Sequence, residues 1–442
     1  MNIKEMRELA KEMILEGVDA ADPEKLVNDN IATDDDIINI CGKIFNRNDY
    51  DEVVVFGIGK ASLAMVKGTK KIKPDDGMII TKKGTVYDKN ESPVPVREAY
   101  HPYPEQANLD AAREMLSKLE KKKNVLIIFL VSGGGSALFI SPVEGISISE
   151  MNELNKLLVK SGANIHQINA VRKHLSCVKG GRFAEFCSDK GDLVSLIISD
   201  VVGDDLSVIA SGPTYPDSSK FQDAIEILKE YGLWERASKN IKDHLKRGVR
   251  GEIKDTPKRL DVSNFLIGNN MSALKGAKRI ADEKEINSII LTSQNEGEAR
   301  MVAKPYIGIA KEIQDTGNPT KHPAALIFGG EMTVTFESMD SESGKGGPNR
   351  EFVLASAMEI IDRENIVVTS VDSDGIDGVD KSGAIADGNS IRRANLDPKE
   401  ILARHDSQSF FDSIDDSIEF DSRTNVNDIS VIIVEKNRVG YC

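Results

Sequence analysis

Residues 124–139 read NVLIIFLVSGGGSALF. An apolar run from Val125 to Leu130 meets three glycines set between Ser132 and Ser136. A short, unalternating apolar run describes a strand buried on both faces, as in a parallel sheet. The glycines end it abruptly. Three structures suit such a junction: a bare tight turn, a dinucleotide loop, or a cradle in which backbone N–H groups face an anion. No G-x-x-x-x-G-K-[ST] occurs in the chain, which removes a phosphate loop of the Walker type. Gly135-Ser136-Ala137-Leu138 also departs from the G-x-S-x-G nucleophile elbow.

The same alternation of apolar strand and amphipathic helix extends both ways from this stretch. Residues 3–48 read as helical, with Asp22-Pro23 and Thr33-Asp34 as helix starts. Strands are expected at Glu52–Gly57, Gly77–Thr81, Asn124–Val131 and Leu193–Ser199, with helices near 60–72, 107–122, 149–161 and 166–177. Helices near 220–231 and 234–247 close the first half, and the polar stretch 246–257 reads as a linker. A second series has strands at Val262–Gly268, Ser288–Thr292, Ala324–Phe328, Ile366–Val371 and Ile429–Val434. Glu331–Phe336 is expected as an extra antiparallel strand. The fold class is therefore α/β, in two domains at 1–248 and 258–442, with a ligand cleft expected between them.

The length of 442 residues fits two such domains, and 40% apolar content can fill their cores. The charge is 57 minus 71, or −14, which argues against a nucleic-acid partner. No apolar run reaches the length of a membrane span, and the N-terminus has no signal-peptide core. Cys41, Cys177, Cys187 and Cys442 show no CxxC spacing, which points to a reducing, cytoplasmic setting without a zinc site. The six histidines are scattered, and each reads as structural or surface.

Several turns carry candidate chemistry. Gly57-Ile58-Gly59-Lys60-Ala61-Ser62 follows the first strand of a dinucleotide-type unit, but Ser62 replaces the third glycine. The second strand ends in Thr81-Lys82-Lys83 where an acid would bind ribose hydroxyls. What remains is Lys60, a cation opposing a helix dipole, which a bound anion would justify. Residues 169–182, NAVRKHLSCVKGGR, are the densest basic segment of an acidic chain. Arg172, Lys179 and Arg182 are its anion-binding candidates. Asp200 and Asp204 follow a buried strand, where a carboxylate can take a hydroxyl proton or hold Mg²⁺. The second half adds Gly330-Glu331, Pro348-Asn349-Arg350 and Asp372-Ser373-Asp374-Gly375. The last resembles half of a calcium loop without its closing glutamate.

Together these blocks resemble the glycerate 2-kinases with a C-terminal MOFRL domain, of the archaeal type. The resemblance rests on VVVFGIGKAS (53–62), LVSGGGSAL (130–138), INAVRKHLSCVKGGR (168–182), LIISDVVGDDLSVIASGPT (196–214), GGEMTVTF (329–336), GKGGPNREFVLA (344–355) and DSDGIDG (372–378). It implies a Rossmann-like first domain, a smaller mixed α/β second domain, and transfer of phosphate from ATP to D-glycerate with Mg²⁺. It matches the family's cleft lysine to Lys60. The family's cleft arginine position is Pro348 here, which leaves Arg350 as the candidate to carry its charge. On this reading Lys60, Asp200 and Arg350 are catalytic. Ser132, Gly133, Gly134, Gly135, Ser136, Arg172, Lys179, Arg182, Glu331 and Asn349 bind substrate or nucleotide. Asp204 and Asp374 sit near the metal. D-glycerate is the expected small-molecule partner, and a homodimer is allowed. The competing readings are a hydroxypyruvate reductase using NADH or NADPH, and a sugar-acid sensor without turnover.

Overall fold

The computed structural model describes residues 1–88, 90–335, 344–361 and 363–436. The chain divides into two compact units: Pro23–Ile267, and Met1–Asp22 together with Gly268–Cys442. This division differs from the expected 1–248 and 258–442. Helix Ile3–Ala20 packs on helix Asn270–Glu283 of the later unit. Its buried stripe is Met6, Leu9, Ala10, Met13, Ile14 and Gly17, the spacing of one helix face. A side chain at Gly17 would press on the Ala273 carbonyl, so glycine sets the close approach of the two helices.

Residues 31–46 also correct the expectation of an all-helical start. They form an antiparallel meander of β1 (Ile31–Asp34), β2 (Ile37–Ile40) and β3 (Lys43–Asn46). The β2–β3 turn is Cys41-Gly42, with φ of 51° and 87°. A two-residue turn with both φ positive matches strand twist and forces a hairpin.

The first unit's main sheet contains β4 (Glu52–Ile58), β5 (Asp76–Lys82), β6 (Val96–Ala99), β7 (Val125–Val131), β8 (Gly191–Ile198) and β9 (Ser263–Gly268). Their spatial order is β6-β5-β4-β7-β8-β9, the doubly wound order 3-2-1-4-5-6. The pairs from β6 to β8 are parallel. All seven residues of β7 are buried, because β4 and β8 flank it and helices cover both faces. β9, expected to open the second series, closes this first sheet instead. Nor is 246–257 a free linker. Asp255 pairs with His174 at 2.8 Å, and Thr256 donates to Asp217 at 3.0 Å.

The other unit's sheet has the order β10-β11-β15-β12-β13-β14. These strands are β10 (Asn287–Glu298), β11 (Ala324–Thr333), β12 (Ile366–Asp372), β13 (Gly383–Asp387), β14 (Ser417–Ile418) and β15 (Asp428–Val434). β10 and β11 are parallel and the remaining pairs antiparallel. The expected separate strand at 331–336 is instead the end of β11, up to Thr333, and Phe336 lies outside the described residues.

Candidate active site

The order of the first sheet reverses between β4 and β7, and the chain leaves both strands at the same edge. A doubly wound sheet keeps its ligands there. The two exits are tied together. Ser132 N–H donates to Ile58 O at 3.0 Å, Lys60 N–H to Gly133 O at 2.8 Å, and Ala61 N–H to Ser132 Oγ at 3.1 Å. Gly59, at φ 118°, lies so close that any side chain would overlap Ser132. The Asp200 carboxylate, just past β8, rests against Gly133, where a Cβ would collide with it. A Cβ at Gly134 would lie 3.1 Å from both Lys60 Cγ and His101 Cδ2. Three other chain segments thus converge on these two glycines.

Charge in this corner is tuned by burial. Burial pushes the Asp200 carboxyl above its ordinary range, against the pull of the Lys60 cation. His101 falls to about 4, first through burial and then through Lys60 and Lys82. It is therefore a neutral imidazole near pH 7.

The turn continues into a polar chain. Ser136 Oγ lies 2.7 Å from Ser211 Oγ, which donates to Asn169 Oδ1 at 3.1 Å. The Asn169 amide nitrogen is buried without a partner. Ala210 and Ser211 hold φ of 50° and 61°, a left-handed strain of the kind retained at functional sites. Lys179 Nζ donates to Ser136 O at 2.6 Å and Phe139 O at 3.4 Å. Burial, then the neighbouring Arg172, brings Lys179 down to about 7. Arg172 Nε donates to Asn155 Oδ1 at 2.9 Å. Neither Arg172 nor Lys179 forms an ion pair among the described residues. One buried and one half-buried cation beside a glycine turn, neither ion-paired among the described residues, suit an anionic ligand.

The comparisons with known proteins agree with this geometry. The model described as Domain of unknown function (DUF4147) matches residues 9–246, and that of the MOFRL family matches 324–428. A glycerate 2-kinase from Pyrococcus horikoshii is 39% identical over 443 residues, covering 98% of each chain. The chain belongs to the glycerate 2-kinase family. A crystal structure of glycerate kinase from Thermotoga maritima superposes with a TM-score of 0.85 at 34% identity, over 98% of this chain and 100% of that one. A protein from Agrobacterium vitis named putative hydroxypyruvate reductase is 36% identical, covering 86% of this chain and 87% of its own. Membership of this family makes the protein an enzyme of the kinase class.

Within the family's first unit, the structure gathers Lys60, Ser132, Gly133, Gly134, Gly135, Ser136, Arg172, Lys179 and Asp200 around one turn. Arg182 stands apart, donating to Lys254 O at 3.2 Å. Asp204 follows Asp200 in a turn closed by its N–H to Val201 O at 3.0 Å. Among the described residues no three His, Cys, Asp or Glu side chains cluster closely enough to hold an ion. Asp200 and Asp204 are two carboxylates four residues apart, and Mg²⁺ is commonly bound by one or two carboxylates with phosphate oxygens completing its shell.

The other predicted residues belong to the second unit. Arg350 is fully buried, and its guanidinium donates to Asp377 Oδ2 at 3.2 Å, Asp377 O at 2.6 Å and Asp380 Oδ1 at 3.4 Å. Its charge is spent inside the fold, which corrects its reading as a cation presented to substrate. Asn349 is equally buried. It donates to Asp428 Oδ1 at 2.6 Å and accepts from Ser370 Oγ. Burial raises Asp428 to about 8, and raises Asp372 with help from Asp374 and Asp428. Asp374 lies beside this network, its N–H donating to Asp372 at 3.0 Å, and Glu331 is one of the charges acting on Asp428. The sequence reading missed His101, Asn169 and Ser211. Asn169 and Ser211 lie within the matched segments 168–182 and 196–214, whose spacing does not single them out.

Proposed function

We propose that the protein transfers the γ-phosphoryl group of ATP to the 2-hydroxyl of D-glycerate, giving 2-phosphoglycerate and ADP. The observation that carries this reading is the convergence of Lys60 and Asp200 on Gly133 and Gly134. One cation and one carboxylate on a shared glycine turn are the parts phosphoryl transfer needs, because that reaction is mostly positioning and charge neutralisation. Asp200, its basicity raised by burial, accepts the proton of the acceptor hydroxyl. The freed oxygen forms its bond to phosphorus as the bond from phosphorus to the leaving ADP oxygen breaks. Lys60 stabilises the charge on the transferring group, and Arg172 and Lys179 hold flanking anions. Mg²⁺, near Asp204, would supply further neutralisation of phosphate charge. The enzyme is read as cytoplasmic.

A second reading is suggested by the reductase name of the Agrobacterium relative. The turn after β4 speaks against it. The N–H groups of Gly59, Lys60 and Ala61 already donate to Ile80 O, Gly133 O and Ser132 Oγ. A dinucleotide pyrophosphate needs those donors. The test is Lys60→Met assayed with ATP, Mg²⁺ and D-glycerate. kcat is expected to fall by about 100-fold or more, with the melting temperature unchanged. Near-wild-type turnover would remove Lys60 from the mechanism. Consumption of NADH or NADPH with hydroxypyruvate at catalytic rates would favour the reductase.

A further inference from the structure

Beside the glycine turn lies a cavity of about 350 Å³, lined wholly by residues of the first unit. That is a size common for small-ligand sites. One end is cationic and polar, formed by Gly134, Ser136, Arg172 and Lys179. The walls are mostly apolar, with Pro102, Tyr103, Pro104, Ile140, Met151 and Val159, and Lys156 and Lys160 line them too. Tyr103 and Val159 expose 62% and 61% of their surface at the rim. Large apolar groups left open around a concavity mark surface that a ligand covers.

Two amides stand among these walls. Asn152 Nδ2 donates to Pro104 O at 2.7 Å, and Asn155 Oδ1 accepts from Arg172. The remaining atoms, Asn152 Oδ1 and Asn155 Nδ2, are an acceptor and a donor that can meet the polar edge of a heterocycle. D-glycerate matches only the cationic end of such a cavity. It has three carbons, each carrying oxygen, and no apolar face to set against proline, methionine and valine. A nucleoside polyphosphate has both an apolar, edge-polar base and an anionic tail.

We infer that this cavity holds the nucleoside of the phosphate donor, with its phosphates running over Gly134–Ser136 toward Lys60. The acid then sits on the Asp200 side of the turn. This assignment rests on the kinase reading and adds to it which ligand lies where. Its core prediction is that wall substitutions weaken the nucleotide and spare the acid.

The test uses Val159→Asp at the exposed rim and Ala137→Phe, which fills the cavity, each checked for folding by its melting temperature. Both are expected to weaken ADP binding in calorimetry and to raise KM for ATP by about tenfold or more, leaving KM for D-glycerate within about twofold. Adenosine, which carries no phosphate, is expected to compete with ATP and not with D-glycerate in the wild type. A rise in KM for D-glycerate with ATP affinity intact would overturn the assignment, as would folded variants that change neither. Should the wild type fail to phosphorylate D-glycerate, the kinase reading falls, and ADP calorimetry alone decides the cavity. Absent binding, or binding untouched by both variants, then counts against it.

Discussion

Arg350 shows how a residue type can be right for a chemistry and wrong for its place. Gly347-Pro348-Asn349-Arg350 suggested a cation offered to phosphate. Pro348 begins a helix, Pro348–Glu359, whose next two backbone N–H groups donate to the Asp377 carboxylate, and the Asn349 and Arg350 side chains turn inward to the same group. Burial pushes the Asp377 carboxyl up, against the hydrogen bonds from Arg350 and Asn349 that pull it down. Such a pair adds little net stability, yet removing one partner strands a buried charge. Arg350→Met is therefore expected to lose about 3–5 kcal/mol in urea unfolding, while the folded fraction keeps its kcat. Unchanged stability with kcat abolished would return Arg350 to the catalytic set.

At the scale of elements, the strand-to-glycine junctions were legible because a buried strand, a sharp turn and a helix each leave a local pattern. The meander at 31–46 was not, because Asp34-Asp35-Asp36 imitates a helix start. Its one hairpin mark, Cys41-Gly42, is a weak signal in sequence. The glycine turn itself carries a pH dependence. Lys179, brought down to about 7 by burial and Arg172, bonds the carbonyls at the far end of the turn. Above pH 7 it loses its proton, and an anion bound beside it must draw one back. ADP affinity is thus expected to fall by about tenfold between pH 6.5 and 8.5, with proton uptake on binding at pH 8. Calorimetry in buffers of different ionisation enthalpy measures both. Lys179→Gln should flatten the profile, and an unaltered slope in that variant would assign the effect elsewhere. For stability the sign is opposite. The folded value lies below that of an unfolded lysine, so this group's contribution rises with pH from about 7 toward the ordinary lysine range.

Across the whole molecule, alternation of strand and helix was enough to read two α/β units and a parallel first sheet, and the family resemblance implied that the first was Rossmann-like. It was not enough to assign every segment to its unit. Helix Ile3–Ala20 is amphipathic whichever core it serves, and only tertiary packing places it on Asn270–Glu283. β9 likewise reads as any buried strand until its neighbour is known. The site was half legible for the same reason. Lys60, Asp200 and the glycine turn sit at strand ends, where position alone implies chemistry. His101, Asn169 and Ser211 arrive from other segments and acquire meaning only in the fold. The central claim concerns what this assembled corner makes. The direct test supplies ATP, Mg²⁺ and D-glycerate to the purified protein and couples the product to enolase, without and then with phosphoglycerate mutase. Product formation with enolase alone is expected, identifying 2-phosphoglycerate. A response only after the mutase is added, or none at all, would contradict the account.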